Sequence, residues 1–207
     1  MNKNIVLVLE NGSALDLSEP SGLASAIPEA WYPGDRGGDA LADILFGKAV
    51  PSGRLPLGFP ARTEDLPPFD DYENENGRTY MYRKIKPLYD FGFGLSYTTF
   101  AYSGISAEDK NISVTMRNTG AYAAEEVVQL YINSAGLAHQ PRVRLQGFRR
   151  VSLQPGEKAR VTFALTGENF FLFDENGERK LFPGTYTVFI DGHLPDENSE
   201  ALTITIG

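Results

Sequence analysis

Polar and apolar residues change rhythm along the chain, and the clearest rhythm lies in its second half. Ile112, Val114 and Met116 alternate with Ser113, Thr115 and Arg117, the period of a strand half buried against a core, and Asn118-Thr119-Gly120 ends it as a turn. Residues 127–132 and 143–153 read as two further strands, the second closed by Gln154-Pro155-Gly156-Glu157. Ala159, Val161, Phe163 and Leu165 then alternate strictly with Lys158, Arg160, Thr162 and Ala164. Residues 170–173 and 178–182 flank Asp174-Glu175-Asn176-Gly177, a hairpin signal, and 185–190 and 202–206 complete the set. A set of about seven short strands in roughly a hundred residues predicts two stacked antiparallel sheets over 101–207.

The first half has other rhythms. Residues 5–9 are continuously apolar, as expected of a strand covered on both faces, and lead into the turn signal Asn11-Gly12-Ser13. Residues 39–46 place Leu41, Ile44 and Leu45 on one helical stripe, with Gly47 suited to the position just past the helix end. One strand and one short helix cannot close a core, so 1–47 reads as part of an α/β domain. Residues 48–100 are rich in Pro, Gly and aromatics, among them Leu66-Pro67-Pro68-Phe69, Tyr80-Met81-Tyr82 and Tyr89-Asp90-Phe91-Gly92-Phe93-Gly94. So long a stretch without regular structure is uncommon unless functional or disordered, and its aromatic density argues for order. It reads as an ordered connector packed along other domains, with short strands near 79–83. The fold expected is therefore mainly β: an immunoglobulin/fibronectin III-like β-sandwich (101–207), preceded by a partial α/β segment (1–47) and a long ordered linker (48–100).

Composition narrows the function. Hydrophobic residues make up 42% of the 207, enough for a real core, and a net charge of −8 with no long basic run argues against nucleic-acid binding. The absence of Cys removes disulfides, thiol catalysis and Cys-type zinc sites. No apolar run is long enough to span a bilayer. The apolar stretch at 5–9 is shorter than the about 7–15 residues a secretory signal needs, so an authentic start at Met1 implies a cytoplasmic chain.

Three stretches carry more than composition. The first runs from Glu29-Ala30-Trp31-Tyr32-Pro33-Gly34 through Gly37-Gly38-Asp39-Ala40-Leu41 to Pro51-Ser52-Gly53-Arg54-Leu55-Pro56. The second runs from Gly77-Arg78-Thr79-Tyr80 to Pro87-Leu88-Tyr89-Asp90-Phe91-Gly92-Phe93-Gly94-Leu95-Ser96-Tyr97-Thr98-Thr99-Phe100. The third joins Arg117-Asn118-Thr119-Gly120, residues 125–131, Leu145-Gln146-Gly147-Phe148 and Leu153-Gln154-Pro155-Gly156-Glu157. In this order they resemble the C-terminal part of glycoside hydrolase family 3, the β-glucosidase and β-xylosidase family. The resemblance implies a parent with a TIM-like barrel, an α/β sandwich domain and a fibronectin type III-like domain, performing retaining hydrolysis without a cofactor.

Retaining glycosidases use two carboxyl groups about 5–5.5 Å apart. The resembled nucleophile is a barrel Asp in a Ser-Asp-Trp context, whereas the one Trp here, Trp31, follows Ala30. The barrel's Lys-His-Phe segment has no counterpart around His139 or His193, and the acid/base Glu would lie upstream of the strand matching 5–9. No catalytic residue is therefore expected in this chain. The acidic stretch Asp70, Asp71, Glu73 and Glu75 reads as a solvated loop, since neighbouring side chains of an extended backbone point to opposite sides. Asp35, Arg36 and Arg78 are the candidates for lining a sugar cleft; tight turns at the helix entry and interdomain packing, respectively, are the competing readings. Tyr97, Phe100 and Tyr102 offer either a stacking platform or seam packing. Both histidines read as surface residues without the partners of a metal site, and Asp109, Asp174, Glu175 and Asp191 are too scattered for calcium. Neither a metal nor a cofactor is expected. The expected partners are upstream catalytic domains or a separate barrel-bearing chain, with self-association through the N-terminal third. The competing reading is a stand-alone fibronectin-like module that binds carbohydrate or protein.

Overall fold

A computed structural model describes residues 4–134 and 140–207. Among the described residues nine strands carry the second half: β1 (Phe100–Glu108), β2 (Asn111–Asn118), β3 (Ala124–Asn133), β4 (Arg144–Leu153), β5 (Lys158–Ala164), β6 (Phe171–Phe173), β7 (Arg179–Leu181), β8 (Gly184–Asp191) and β9 (Ala201–Ile206). They form a three-stranded sheet, β1-β2-β5, and a four-stranded sheet, β4-β3-β8-β9, with β6-β7 as a separate hairpin. Every pairing among them is antiparallel. The period-two residues face inward as their spacing predicts: Ile112, Val114, Met116 and Val161 meet Val128, Leu130, Ile132, Val188 and Ile190 in one core. Burying such side chains contributes about 1.5–3 kcal/mol each. The chain is mainly β, a two-sheet sandwich.

The hairpin forms where expected, with Gly177 at φ 76 and the Asp174 carboxylate accepting the N–H groups of Asn176 and Glu178, both at 2.9 Å. β1 was not foreseen, because Ala101-Tyr102-Ser103-Gly104-Ile105-Ser106 gives a weak alternation; a register shift between Ser103 and Ser106 interrupts it.

In the first half, α1 (Pro20–Leu23) is a single turn and α2 (Gly37–Leu45) is the predicted helix, followed by Gly47 at φ 73. The apolar run 5–9 is not a free-standing strand. It pairs in parallel with a partner the sequence reading missed, residues 25–30, through isolated bridges Val6↔Ala26 and Leu9↔Glu29. The Leu7 and Leu9 N–H groups donate to the carbonyls of Ala26 and Pro28 at 3.0 Å each. Nor is the run covered on both faces here: Leu9 is buried, but Ile5 and Val6 are open to solvent. Leu9, Leu17 and Phe59 form a small second core with Trp31, Leu55, Leu57 and Tyr89 around it.

The connector folds back on itself. Phe59 donates to Tyr89 O and Leu55 to Phe93 O, both at 2.8 Å. The strands expected near 79–83 are instead turns, with Tyr82 N–H closing onto Thr79 O at 3.1 Å. The reason is tertiary: Tyr80 turns inward, stacks on Phe91 with centroids 4.1 Å apart, and its hydroxyl accepts the Leu145 N–H at 3.0 Å.

Candidate functional site

β3 is buried on both faces. Its inner residues Val128, Leu130 and Ile132 belong to the sandwich core, while Gln129 and Tyr131 face the connector and are equally buried. There Phe91 meets the Tyr131 ring edge-on at 6.5 Å, and Tyr131, Val143 and Leu194 make a third apolar cluster with Tyr80 and Phe91. The Tyr131 hydroxyl donates to Gln129 Oε1 at 2.6 Å, and Gln129 Nε2 donates to Gly192 O at 2.9 Å. Gly92 is held at φ 78, and a Cβ there would lie 2.7 Å from Gln129 Oε1 and 2.9 Å from the Tyr131 hydroxyl. Only glycine admits both the turn and the close approach.

At the end of the same strand, Arg54 of the connector reaches into the sandwich. Its Nη2 donates to both oxygens of Glu126 at 2.5 Å, and Nη1 donates to Gly94 O. Tyr102 of β1 adds its hydroxyl to Glu126 Oε1 at 3.1 Å. The side chains are 15% and 2% exposed, so the charges are paired away from water. Burial pushes the Glu126 carboxyl up, and the Arg54 charge and the two hydrogen-bond donors offset this in part. Burial and the Glu126 charge push the Tyr102 hydroxyl far up, so it stays protonated and can donate to that carboxylate. A second crossing link lies at the surface, where Arg150 donates to Ser52 Oγ at 2.9 Å and to Glu125 Oε2 at 2.5 Å.

Asn118, from the quoted Asn-Thr-Gly stretch, is fully buried and fully used. Its Nδ2 donates to Tyr122 O at 2.7 Å and Leu153 O at 3.1 Å, and its Oδ1 accepts from Thr98 Oγ1 at 2.7 Å and Gly120 N at 3.1 Å. That accounts for the motif structurally: it ties the connector's last residues to the sandwich.

The sequence-predicted candidates lie apart from this seam. Asp35 and Arg36 are exposed at the start of α2, where Arg36 pairs with Asp39 at 2.8 Å. Arg78 closes a loop: Nη2 donates to Pro68 O at 2.5 Å and Phe69 O at 3.2 Å, Nε donates to Asp71 O, and the guanidinium lies 5.6 Å from the Tyr72 ring. The acidic stretch in that loop is spent on the loop itself, with Asp71 accepting from Glu73 N at 3.0 Å and Asn76 Nδ2 at 2.8 Å. These bonds hold the Asp71 carboxyl below its ordinary range. Of the three aromatics, Phe100 and Tyr102 pack on the sandwich core, whereas Tyr97 is exposed and donates to Ile44 O at 2.7 Å. His193 is exposed, as expected; His139 lies outside the described residues. Among the described residues, no three His, Cys, Asp or Glu side chains gather as metal ligands would.

Trp31 was not singled out for its backbone, yet it is a non-glycine residue at φ 53, with its N–H on Glu29 Oε1 at 2.8 Å and its ring against Phe59. Such a conformation costs of order 1–3 kcal/mol and persists because the surrounding packing fixes it.

Comparison with known proteins agrees with this architecture. Residues 1–97 match the glycosyl hydrolase family 3 C-terminal domain, and residues 126–193 match the fibronectin type III-like domain. A β-glucosidase of Bacteroides ovatus is 36% identical over 95% of the chain, and a xylan 1,4-β-xylosidase of Xylanibacter ruminicola is 35% identical over 99% of it. The crystal structure of a family 3 β-glucosidase from Bifidobacterium adolescentis superposes with a TM-score of 0.88 at 34% identity over 99% of the chain. The chain spans 30%, 24% and 33% of those three proteins, respectively. With the motif series, the sandwich topology and these similarities in agreement, the chain belongs to glycoside hydrolase family 3 and corresponds to its C-terminal portion, the end of the α/β domain followed by the fibronectin type III-like domain.

Proposed function

We propose that this chain is the non-catalytic C-terminal region of a retaining β-glucosidase- or β-xylosidase-type hydrolase, and that it braces the catalytic domains of that enzyme. The observation that carries the reading is the seam. A buried Arg54–Glu126 pair and the Tyr80–Phe91–Tyr131 aromatic cluster fix the connector and the sandwich to each other, and the connector's Phe59 packs in turn on Leu9 and Leu17 of the α/β segment. That is the construction expected of a rigid brace, whereas a binding module on a flexible tether needs no buried charge between its parts. The division into a partial α/β segment to residue 47, a connector to residue 100 and a sandwich beyond it belongs to this reading. So do the places of Asp35, Arg36 and Arg78, on turns that would face the neighbouring catalytic domains.

Phe46 is 82% exposed, and Leu45, Leu95 and Tyr97 are also open. This apolar surface supports contact with upstream domains, on the same or a separate chain, and self-association when they are absent. Sedimentation of the purified chain at micromolar concentration should show concentration-dependent dimers or larger species; a clean monomer removes self-association from the proposal.

The test of function is hydrolysis of p-nitrophenyl β-glucoside and β-xyloside by the chain alone and after addition of a barrel-bearing family 3 fragment. No turnover alone and turnover in the mixture is the expected result. Robust turnover by the chain alone would overturn the non-catalytic reading.

A further inference from the structure

A cavity of about 610 Å³ opens beside the seam, between connector residues 83–93 and the sandwich turns that carry Arg142 and residues 193–196. In a chain of net charge −8, its wall holds four fixed cations, Arg83, Lys84, Lys86 and Arg142, against two carboxylates, Asp90 and Asp196. Asp90 is taken by Arg83, and the Asp196 carboxylate accepts the Asn198 N–H at 2.8 Å within its own turn. Among the described residues, Lys84, Lys86 and Arg142 form no ion pair. Burial, with the Arg142 charge as a second cause, lowers the Arg83 pKa, which fits a wall richer in cations than in carboxylates.

The rest of the wall holds His193 together with Ile85, Phe93, Leu194 and Pro195, and the volume far exceeds that of a bare inorganic ion. A sugar ring sets C–H groups against apolar and aromatic surface, while a carboxylate takes the planar fork of an arginine. We propose that this cavity binds a carboxylated sugar, with the carboxylate on Arg142, Lys84 and Lys86 and the ring against Phe93 and the exposed Ile85. Such a site would let the brace hold an acidic substituent of a polysaccharide without taking part in bond cleavage.

The test is calorimetric titration of the full chain with sodium glucuronate, glucose and inorganic phosphate at constant ionic strength. Saturable binding of glucuronate is expected, with none of glucose and at least tenfold weaker binding of phosphate. Arg142→Ala should weaken glucuronate binding about tenfold or more, the worth of one charge-assisted hydrogen bond, with an unchanged circular dichroism spectrum. If that variant fails to fold, Lys84→Ala and Lys86→Ala, both at exposed positions, carry the same expectation with a smaller loss. No saturable binding, equal affinity for glucose or phosphate, or full affinity in folded variants would overturn the proposal.

Discussion

In the sandwich, Ile112, Val114 and Met116 are opposed by Val128, Leu130 and Ile132, and their buried surroundings extend to Phe163, Tyr186 and Ile190. In the first half, the small core rests on Leu9, Leu17 and Phe59, while Phe46, Phe69 and Tyr72 are 82%, 91% and 78% exposed. The two regions have similar lengths, so the difference is one of closure. Two sheets facing each other supply both walls of a core, whereas a parallel pair of extended segments and two short helices supply one. The sandwich carries its own stabilisation. The first half leans on the seam through its connector, and its small core leaves an open face to be covered.

The largest effect that would sharpen this contrast lies at the seam. Glu126→Ala strands the Arg54 charge in a buried site and should cost about 3–5 kcal/mol in chemical denaturation. Adding Arg54→Met should recover much of that loss; no recovery would mean the Glu126 contacts with the sandwich itself carry the stability. Next comes the core: Leu130→Ala should cost about 2–5 kcal/mol, against less than about 0.5 kcal/mol for Leu45→Ala on the open stripe of α2. Equal losses at the two positions would break the comparison.

The smallest effect separates two carboxylates by pH. Asp16 accepts from Ser18 N at 3.0 Å and Ser18 Oγ at 2.6 Å, and from Thr63 N at 2.9 Å and Thr63 Oγ1 at 2.8 Å. These bonds, those from Ser18 foremost, hold its pKa below the ordinary value. The stability it lends is therefore present above the unfolded value of about 3.9 and lost as pH falls through the depressed folded one. Glu126, raised by burial, has the opposite sign: its titration favours the fold most below about 4.3, and that contribution declines as pH rises through the folded value. Hydrogen exchange at the Thr63 amide, corrected for intrinsic rates, should lose protection below about pH 4. Constant protection down to pH 2 would show that the Asp16 tether does not hold the two segments together.

What could be read from sequence follows from range. The sandwich strands and the Asp174–Gly177 turn are legible because period-two burial and turn chemistry are local; so is the end of α2 at Gly47. The partner of residues 5–9 was not, because Ser25, Pro28 and Glu29 break any apolar rhythm, and pairing there rests on backbone groups. Arg54 and Glu126 lie 72 positions apart, and nothing in either neighbourhood announces the other. The cationic cavity is likewise assembled from residues near 84, 142 and 193, each an unremarked charge in its own segment. The family resemblance identified the right stretches, but the bonds made by Asn118 and Gly92 became visible only in three dimensions.

The Arg54–Glu126 pair also limits how such proteins can be recombined. A chimera joined at residue 100 would inherit Glu126 from one parent and its counter-charge from another, and any shift of Gly94 or Arg54 would leave a buried carboxylate bare. A junction placed ahead of Pro51 carries both partners, the Gly92 turn and the Tyr80 anchor together. That junction still severs Phe59 from Leu9 and Leu17 and Thr63 from Asp16, so every cut between residues 17 and 100 parts at least one pair of packed or bonded partners.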